Sequence, residues 1–234
     1  MILVIDTCGA VGGVALADIG SGPAKIVGEV PITGKTFAAE LVPAVSSLLG
    51  EAGLKVAQLD AVAVVRGPGS FTGVRIGVSA AKGLVEAAGI PLIALSRLEV
   101  LTRKSGVGGL SIAVFDAGRG EYYVGIYQEG QCLLESVMTR DQLMEHAADR
   151  PAAVLVCELR VKESLAELQP TMLSAPTLGD ALAIAVERWN ARKFEDVMTL
   201  DGNYLRRSDA EIFAGRTTRP NLAEEKVEAV EPEG

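Results

Sequence analysis

Histidine is almost missing from this chain: His146 stands alone among 234 residues. That scarcity rules out a two-histidine metal site and an HExxH metalloprotease helix. His146 itself lies in "QLMEHAADR", which reads as an ordinary amphipathic segment. Cysteine is nearly as sparse. Cys8, Cys132 and Cys157 are too few and too scattered for a disulfide framework or a zinc knuckle, and are expected to be small buried hydrophobes. Basic charge is short as well, with 22 Lys and Arg against 30 Asp and Glu, a net charge of −8. Without a basic stripe the chain alone is expected to bind nucleic acid poorly, because phosphate neutralisation dominates such affinity. No apolar run approaches the roughly 18 residues of a membrane span, so no membrane contact is expected. The opening "MILVIDTCG" has no basic stretch before its apolar run and meets Asp6. It is expected to be a first strand and not a secretory leader, which places the chain in the cytoplasm.

What the chain does contain is an alternation of strands and helices that runs twice. "ILVID", "GGVALADI" and "AKIVGEVPI" read as three strands joined by short turns. "FAAELVPAVSSLLGEAG" follows with Phe37, Leu41, Val45, Leu48 and Leu49 at helical spacing, and Pro43 predicts a late start or a bend. "DAVAVVRG" is a continuous apolar strand of the buried parallel type. A helix ending near Gly89, the strand "IPLIAL" and a short helix "SRLEVLTRK" complete one α/β lobe. "LSIAVFDAGRGEYYVGIYQEG" then repeats the opening plan: apolar strand, Asp, small-residue turn, second strand. Asp116 takes the place of Asp6, 110 residues on, and "CLLESVMT", "RDQLMEHAA", "AAVLVCE" and "LGDALAIAVERWNARK" supply strand, helix, strand and helix. A duplicated two-lobe α/β architecture follows, its lobes meeting near residues 98 to 108, where "KSGVGG" is linker-like. We expect a first lobe over 1–103, a second over 104–211 whose C-terminal helix packs back on the first, and a disordered acidic tail over 212–234. Five Glu against one Lys in the last 13 residues, without an aromatic, support that tail.

The most distinctive stretch is "VVRGPGSFTGVRIGVSAAKGL", residues 64 to 84, a glycine-rich turn from strand to helix. It fails the nucleotide templates by count. The fifth residue after Gly67 is Thr72 and after Gly69 is Val74, so there is no Walker loop. Gly67 and Gly69 open a GxGxxG, but Gly73 comes one residue too late. A generic anion at the helix N-terminus stays open. Pro68 and Gly69 suit a tight turn, and Ser70 or Thr72 can cap the helix. Gly73, Gly77 and Ala81, each four residues apart, make a smooth ridge on one helix face. Glycine costs about 1 kcal/mol in a helix, so close approach of another backbone should compensate. That backbone is either the chain's own sheet or another subunit.

"GPGSFTGVRIG" with "AKGL" after it, "IPLIALSRLEVL", "DAGRGEYYVGIY" and "YLRRSDAE" together resemble the TsaB family, formerly YeaZ. The resemblance spans residues 1 to about 211 and implies a two-lobed actin, sugar-kinase and Hsp70-like fold, a duplicated ribonuclease H-like plan. It implies a non-catalytic subunit in threonylcarbamoylation of the adenosine beside the anticodon in tRNAs reading codons that begin with A. The implied partners are the catalytic paralogue TsaD, as a heterodimer, and the ATPase TsaE. A homodimer is implied when TsaD is absent, and tRNA contact only through the complex. On this sequence the family's dimer surface falls on Phe37, Leu41, Gly67, Pro68, Gly69, Ser70, Phe71, Thr72, Gly73, Arg75, Ile76, Gly77, Ala80 and Ala81, with Gly73 and Gly77 facing the partner. TsaD holds a metal through an HxxxH pair. Here the matching helix reads "TFAAELVPAV", with Ala38, Ala39 and Glu40 where relatives often show His-Ser-Glu. Neither catalytic residues nor metal ligands are therefore expected. In actin-like folds the first Asp and its turn approach nucleotide phosphates. Asp6, Thr7, Gly9 and Asp116 hold those places, either for that purpose or merely to stabilise turns. No adenosine site is visible beside them, so no cofactor is expected. The competing function is a small ATP-binding enzyme of the actin-like superfamily.

Overall fold

Five strands in each half of the chain build two sheets of one plan. The computed structural model describes residues 1–20, 22–148 and 152–205. The expected acidic tail and the end of "YLRRSDAE" lie outside them. β1 (Ile2–Asp6), β2 (Val11–Asp18), β3 (Lys25–Thr33), β4 (Ala61–Val65) and β5 (Leu92–Leu95) are ordered β3-β2-β1-β4-β5. β6 (Leu110–Gly118), β7 (Glu121–Gln128), β8 (Gln131–Thr139), β9 (Ala153–Val156) and β10 (Thr171–Met172) repeat it as β8-β7-β6-β9-β10. In both, the first three strands form an antiparallel meander and the last two add in parallel. This is the duplicated ribonuclease H-like α/β plan of two-lobed actin-type folds. Register places Asp6 opposite Val65, at the carboxyl ends of the parallel pair.

Helices α1 (Phe37–Glu51) and α2 (Phe71–Ala88) follow the first meander and β4. β1 and β4 are buried at every residue, as central parallel strands covered on both faces should be. The sequence predicts a late start or bend at Pro43, but α1 runs unbroken from Phe37. Pro43 sits on its exposed face, where water can satisfy the carbonyl one turn back. α4 (Arg140–Ala148) and α5 (Leu159–Ser164) are the second-lobe counterparts of α1 and α2. α5 and β10 are too short to show periodicity, and the sequence reading misses both.

The remaining pair, α3 (Arg97–Ser105) and α6 (Leu178–Asn190), exchange lobes. Leu98 and Leu101 of α3 pack with Ala113, Phe115 and Tyr127 of the second sheet. Leu178, Ala181, Leu182, Ile184 and Ala185 of α6 join the core under the first sheet. Where the two helices run side by side, Lys104–Asp180 at 2.7 Å, Arg188–Glu99 at 2.6 Å and Arg103–Glu187 pair across them. Of the stretch expected to be linker-like, Lys104 and Ser105 close α3, Gly106 at φ 65° caps it, and residues 106–109 lead without helix or strand into β6. Among the described residues no helix is long and apolar enough to cross a membrane.

Candidate partner interface and interlobe cleft

The glycine-rich turn is built by close approach to the end of β1. Gly67 has φ 103° and is followed by a cis bond to Pro68. A Cβ on Gly69 would lie 2.4 Å from the Cys8 carbonyl oxygen, which instead accepts the Ser70 amide at 2.9 Å. Ser70 caps α2, its Oγ accepting the Gly73 amide at 3.3 Å. Gly73, Gly77 and Ala81 are all buried inside the chain. A Cβ on Gly73 would meet the Thr7 carbonyl oxygen at 2.0 Å, and one on Gly77 the Thr7 Oγ1 at 2.3 Å. Thr7 Oγ1 donates to the Gly73 carbonyl at 2.6 Å. The ridge thus seats α2 on the chain's own β1 turn, correcting the expectation that Gly73 and Gly77 face another protein. Phe37, Leu41, Gly67, Pro68 and Ala81 are likewise buried in the same lobe and present no free surface.

The other residues expected at an interface point outward or sit at the rim: Ser70, Phe71, Thr72 and Arg75 exposed, Gly69, Ile76 and Ala80 half-buried. Beside them the outer side of α1 exposes Ala38, Ala39, Glu40 and Val42, the last at 67%. Two members of this surface escape sequence reasoning. Val42 is off the buried stripe of α1, and nothing in its spacing marks it. Tyr204 comes from far along the chain, its ring 5.2 Å from Phe71 and the Arg75 guanidinium 3.9 Å from the Phe71 centroid. Its segment "YLRRSDAE" is distinctive in sequence, but its place against α2 is set by tertiary contact.

Between the lobes lies a cleft of about 1070 Å³. Of the four residues suited by position to a nucleotide, the structure brings Gly9 and Asp116 to its wall and leaves Asp6 and Thr7 behind it. Asp6 and Asp116 form the same turn in each lobe, Oδ1 accepting the amide two residues on, Cys8 at 2.8 Å and Gly118 at 2.7 Å. The Asp116 amide in turn donates to Glu158 at 2.8 Å. Arg97 lies over the Phe115 ring at 4.3 Å, with Nη2 3.0 Å from where a Gly9 Cβ would be. Asp6 is buried and Thr7 is bonded to α2, while the Arg97 guanidinium stands beside Gly9 at the cleft. Of the cysteines only Cys8 is buried; Cys157 is half-buried and Cys132 exposed. Burial, then the Asp6 carboxylate, holds Cys8 as a neutral thiol, which donates to the Val65 carbonyl. Among the described residues no group of three or more His, Cys, Asp or Glu is placed to hold a metal ion.

Comparison with known proteins agrees with this architecture. Residues 26–211 match the family described as TsaD, tRNA N6-adenosine threonylcarbamoyltransferase. The tRNA threonylcarbamoyladenosine biosynthesis protein TsaB of Bacillus subtilis is 38% identical over 144 residues, 61% of this chain and 62% of that protein. The Escherichia coli protein of the same name is 34% identical over 134 residues, 56% of each chain. The matched stretches thus span less than two thirds of these relatives' own length. A Pseudomonas aeruginosa crystal structure, titled an uncharacterized protein with similarity to peptidase YeaZ, superimposes with TM-score 0.71 at 27% identity. That match covers 88% of this chain and 99% of the other. The chain belongs to the TsaD family and, within it, to the TsaB (YeaZ) group.

Proposed function

We propose that this chain is a non-catalytic scaffold that pairs, through the outer faces of α1 and α2, with a TsaD-type paralogue. Together, with TsaE joining, they carry out threonylcarbamoylation of the adenosine next to the anticodon in tRNAs reading codons that begin with A. The observation that carries this is the outer surface of α1 and α2. Val42 and Phe71 stand exposed there among small residues, Ala38, Ala39, Ala80 and Gly83, that let another helix pair come near. The single histidine, in α4, supports the absence of a catalytic metal pair. The acidic balance suits a protein partner better than direct contact with tRNA. Without the paralogue the same face pairs two copies of this chain. The competing ATP-using enzyme would need Asp6 and Thr7 at the cleft, and both lie behind its wall.

The test is to place charge on the outward side of α2. Ile76→Glu and Ala80→Arg should weaken pairing with the paralogue at least about 30-fold, since an unpaired charge at a buried contact costs roughly 2 kcal/mol or more. Threonylcarbamoyladenosine measured by mass spectrometry of cellular tRNA should fall in step. Both side chains also pack partly against the first-lobe core, so pairing is compared at a temperature where circular dichroism shows each variant folded. Pairing that withstands both substitutions would exclude this surface. Magnesium-dependent micromolar ATP binding with turnover by the isolated chain would favour the enzyme instead.

A further inference from the structure

Three distant segments converge on one carboxylate in the second lobe. Glu135, half-buried on β8, accepts the Ser96 and Tyr127 hydroxyls at Oε1 and the Asn203 Nδ2 at Oε2. Ser96 also caps α3, its Oγ accepting the Leu98 amide at 3.2 Å. Tyr127 is buried, and burial first, then the Glu135 charge, holds its phenol protonated as a donor. Asn203 belongs to a strap, residues 196–205, that has neither helix nor strand of its own. Just ahead of the strap, Glu195 bridges to Leu92 at the edge of β5.

The strap crosses the first lobe at the glycine-proline turn. The Leu200 side chain is buried in the first-lobe core, and its carbonyl accepts Lys82 Nζ at 3.0 Å. The Asn203 amide donates to the Arg66 carbonyl at 2.6 Å, immediately before the turn that launches α2. The next residue is Tyr204, its ring tilted against Phe71 beside Arg75. One carboxylate therefore fixes the residue adjoining the aromatic that extends the outer face of α2. Hydrogen bonds to an ionised acceptor are about twice as strong as neutral ones, so this one is suited to decide where a strap without secondary structure lies.

Resting on the α1 and α2 pairing proposed above, we propose that Glu135 is a positioning residue for the docking face. Through Asn203 it seats the strap so that Tyr204 forms part of the partner contact. Binding of the partner is thereby tied to the seating of the second lobe.

Asn203→Asp sets a second carboxylate against Glu135 and should release the strap. In the full chain, hydrogen exchange at residues 201–205 should quicken while Leu200 stays in the first-lobe core, and affinity for the paralogue should fall about tenfold with the chain still folded by circular dichroism. Glu135→Gln combined with Asn203→Asp reverses donor and acceptor, and should restore affinity to within about threefold of wild type. Tyr204→Ala should lower affinity while leaving exchange at 199–203 unchanged. Wild-type affinity in the Asn203→Asp chain, or no recovery in the double variant, overturns the positioning role while α1 and α2 pairing stands. Absence of pairing by the wild type overturns the interface and this role together.

Discussion

Three glycines in α2 should respond to alanine in three different ways, because each faces something different. At Gly73 the added Cβ would lie 2.0 Å from the Thr7 carbonyl oxygen, which is buried main chain and cannot rotate away. Relief requires the helix or the end of β1 to move by about 1 Å, an overpacking cost of roughly 1–3 kcal/mol. Loss of the Thr7 Oγ1 bond to the Gly73 carbonyl adds about 1 kcal/mol, and better helix propensity returns about 1. Gly73→Ala should therefore destabilise by about 1–3 kcal/mol. At Gly77 the close atom is Thr7 Oγ1 at 2.3 Å, with the next neighbours at 3.5 and 3.7 Å. A rotated hydroxyl relieves the clash but forfeits its bond to Gly73, so Gly77→Ala should be neutral to about 1 kcal/mol destabilising. Gly83 has nothing within 4 Å, and Gly83→Ala should stabilise by up to about 1 kcal/mol. In a Thr7→Ala background the hydroxyl is gone, so Gly77→Ala should change sign and become stabilising. Thermal unfolding followed by circular dichroism reads all of these, each kcal/mol corresponding to about 2–4 °C in Tm for a chain of this size. Gly73→Ala matching Gly83→Ala in stability would refute the seating of α2 on Thr7 and return the ridge to an external partner.

Acid should act partly through Asp180. Burial works to raise its pKa, but hydrogen bonds from Lys104 and Thr177 outweigh it and hold the carboxyl below its usual range. A depressed folded pKa stabilises above the unfolded value of about 3.9 and loses that contribution as pH falls through the folded one. Asp180→Asn should therefore cost about 1 kcal/mol at pH 7 and flatten the loss of stability below about pH 4, read by urea midpoints; parallel profiles would contradict it. The cysteines should alkylate in order of access: exposed Cys132 first, then Cys157, which burial pushes up to about 11 against the pull of Arg97. Buried Cys8 should react only on unfolding, and mass spectrometry showing Cys8 labelled as fast as Cys132 in the folded chain would overturn its placement.

Much of the fold was legible because its signals are local. An apolar run leading to an Asp predicts β1 and β6, and each Asp does bond the amide two residues on, although β6 continues past Asp116 to Gly118. Ser70 as cap and Gly89 as helix end follow from side-chain chemistry and left-handed backbone. The purpose of Gly73 and Gly77 was not legible. Small residues on one helix face announce that something comes close, but not whether it is Thr7 or another chain. The C-terminal helix was expected to pack back on the first lobe, but the packing of α3 on the second sheet was hidden for a related reason. The apolar face of α3 is compatible with either sheet, and the choice is made by packing. Glu135, Ser96 and Asn203 were invisible as a group, since no spacing joins positions so far apart.

The duplication itself gives a physical reason for the partner surface proposed on the first lobe. α1 and α2 have 15 and 18 residues, or lengths of about 22 and 27 Å at 1.5 Å per residue. Their counterparts α4 and α5 have 9 and 6 residues, about 13 and 9 Å. Ridges must interdigitate over several turns for two helix pairs to pack stably, and a six-residue helix offers fewer than two turns. Among the described residues the second lobe repeats the sheet but offers a smaller helical surface. What it contributes toward a partner must pass through another element. The strap supplies one, held by Glu135 at the second lobe and delivering Tyr204 to the first. Asn203 bonds Glu135 of the second lobe and the Arg66 carbonyl of the first, whereas the base of α2 is locked to Thr7 by buried main chain. The rigid part of the proposed interface and its adjustable part are thus built from different halves of the chain.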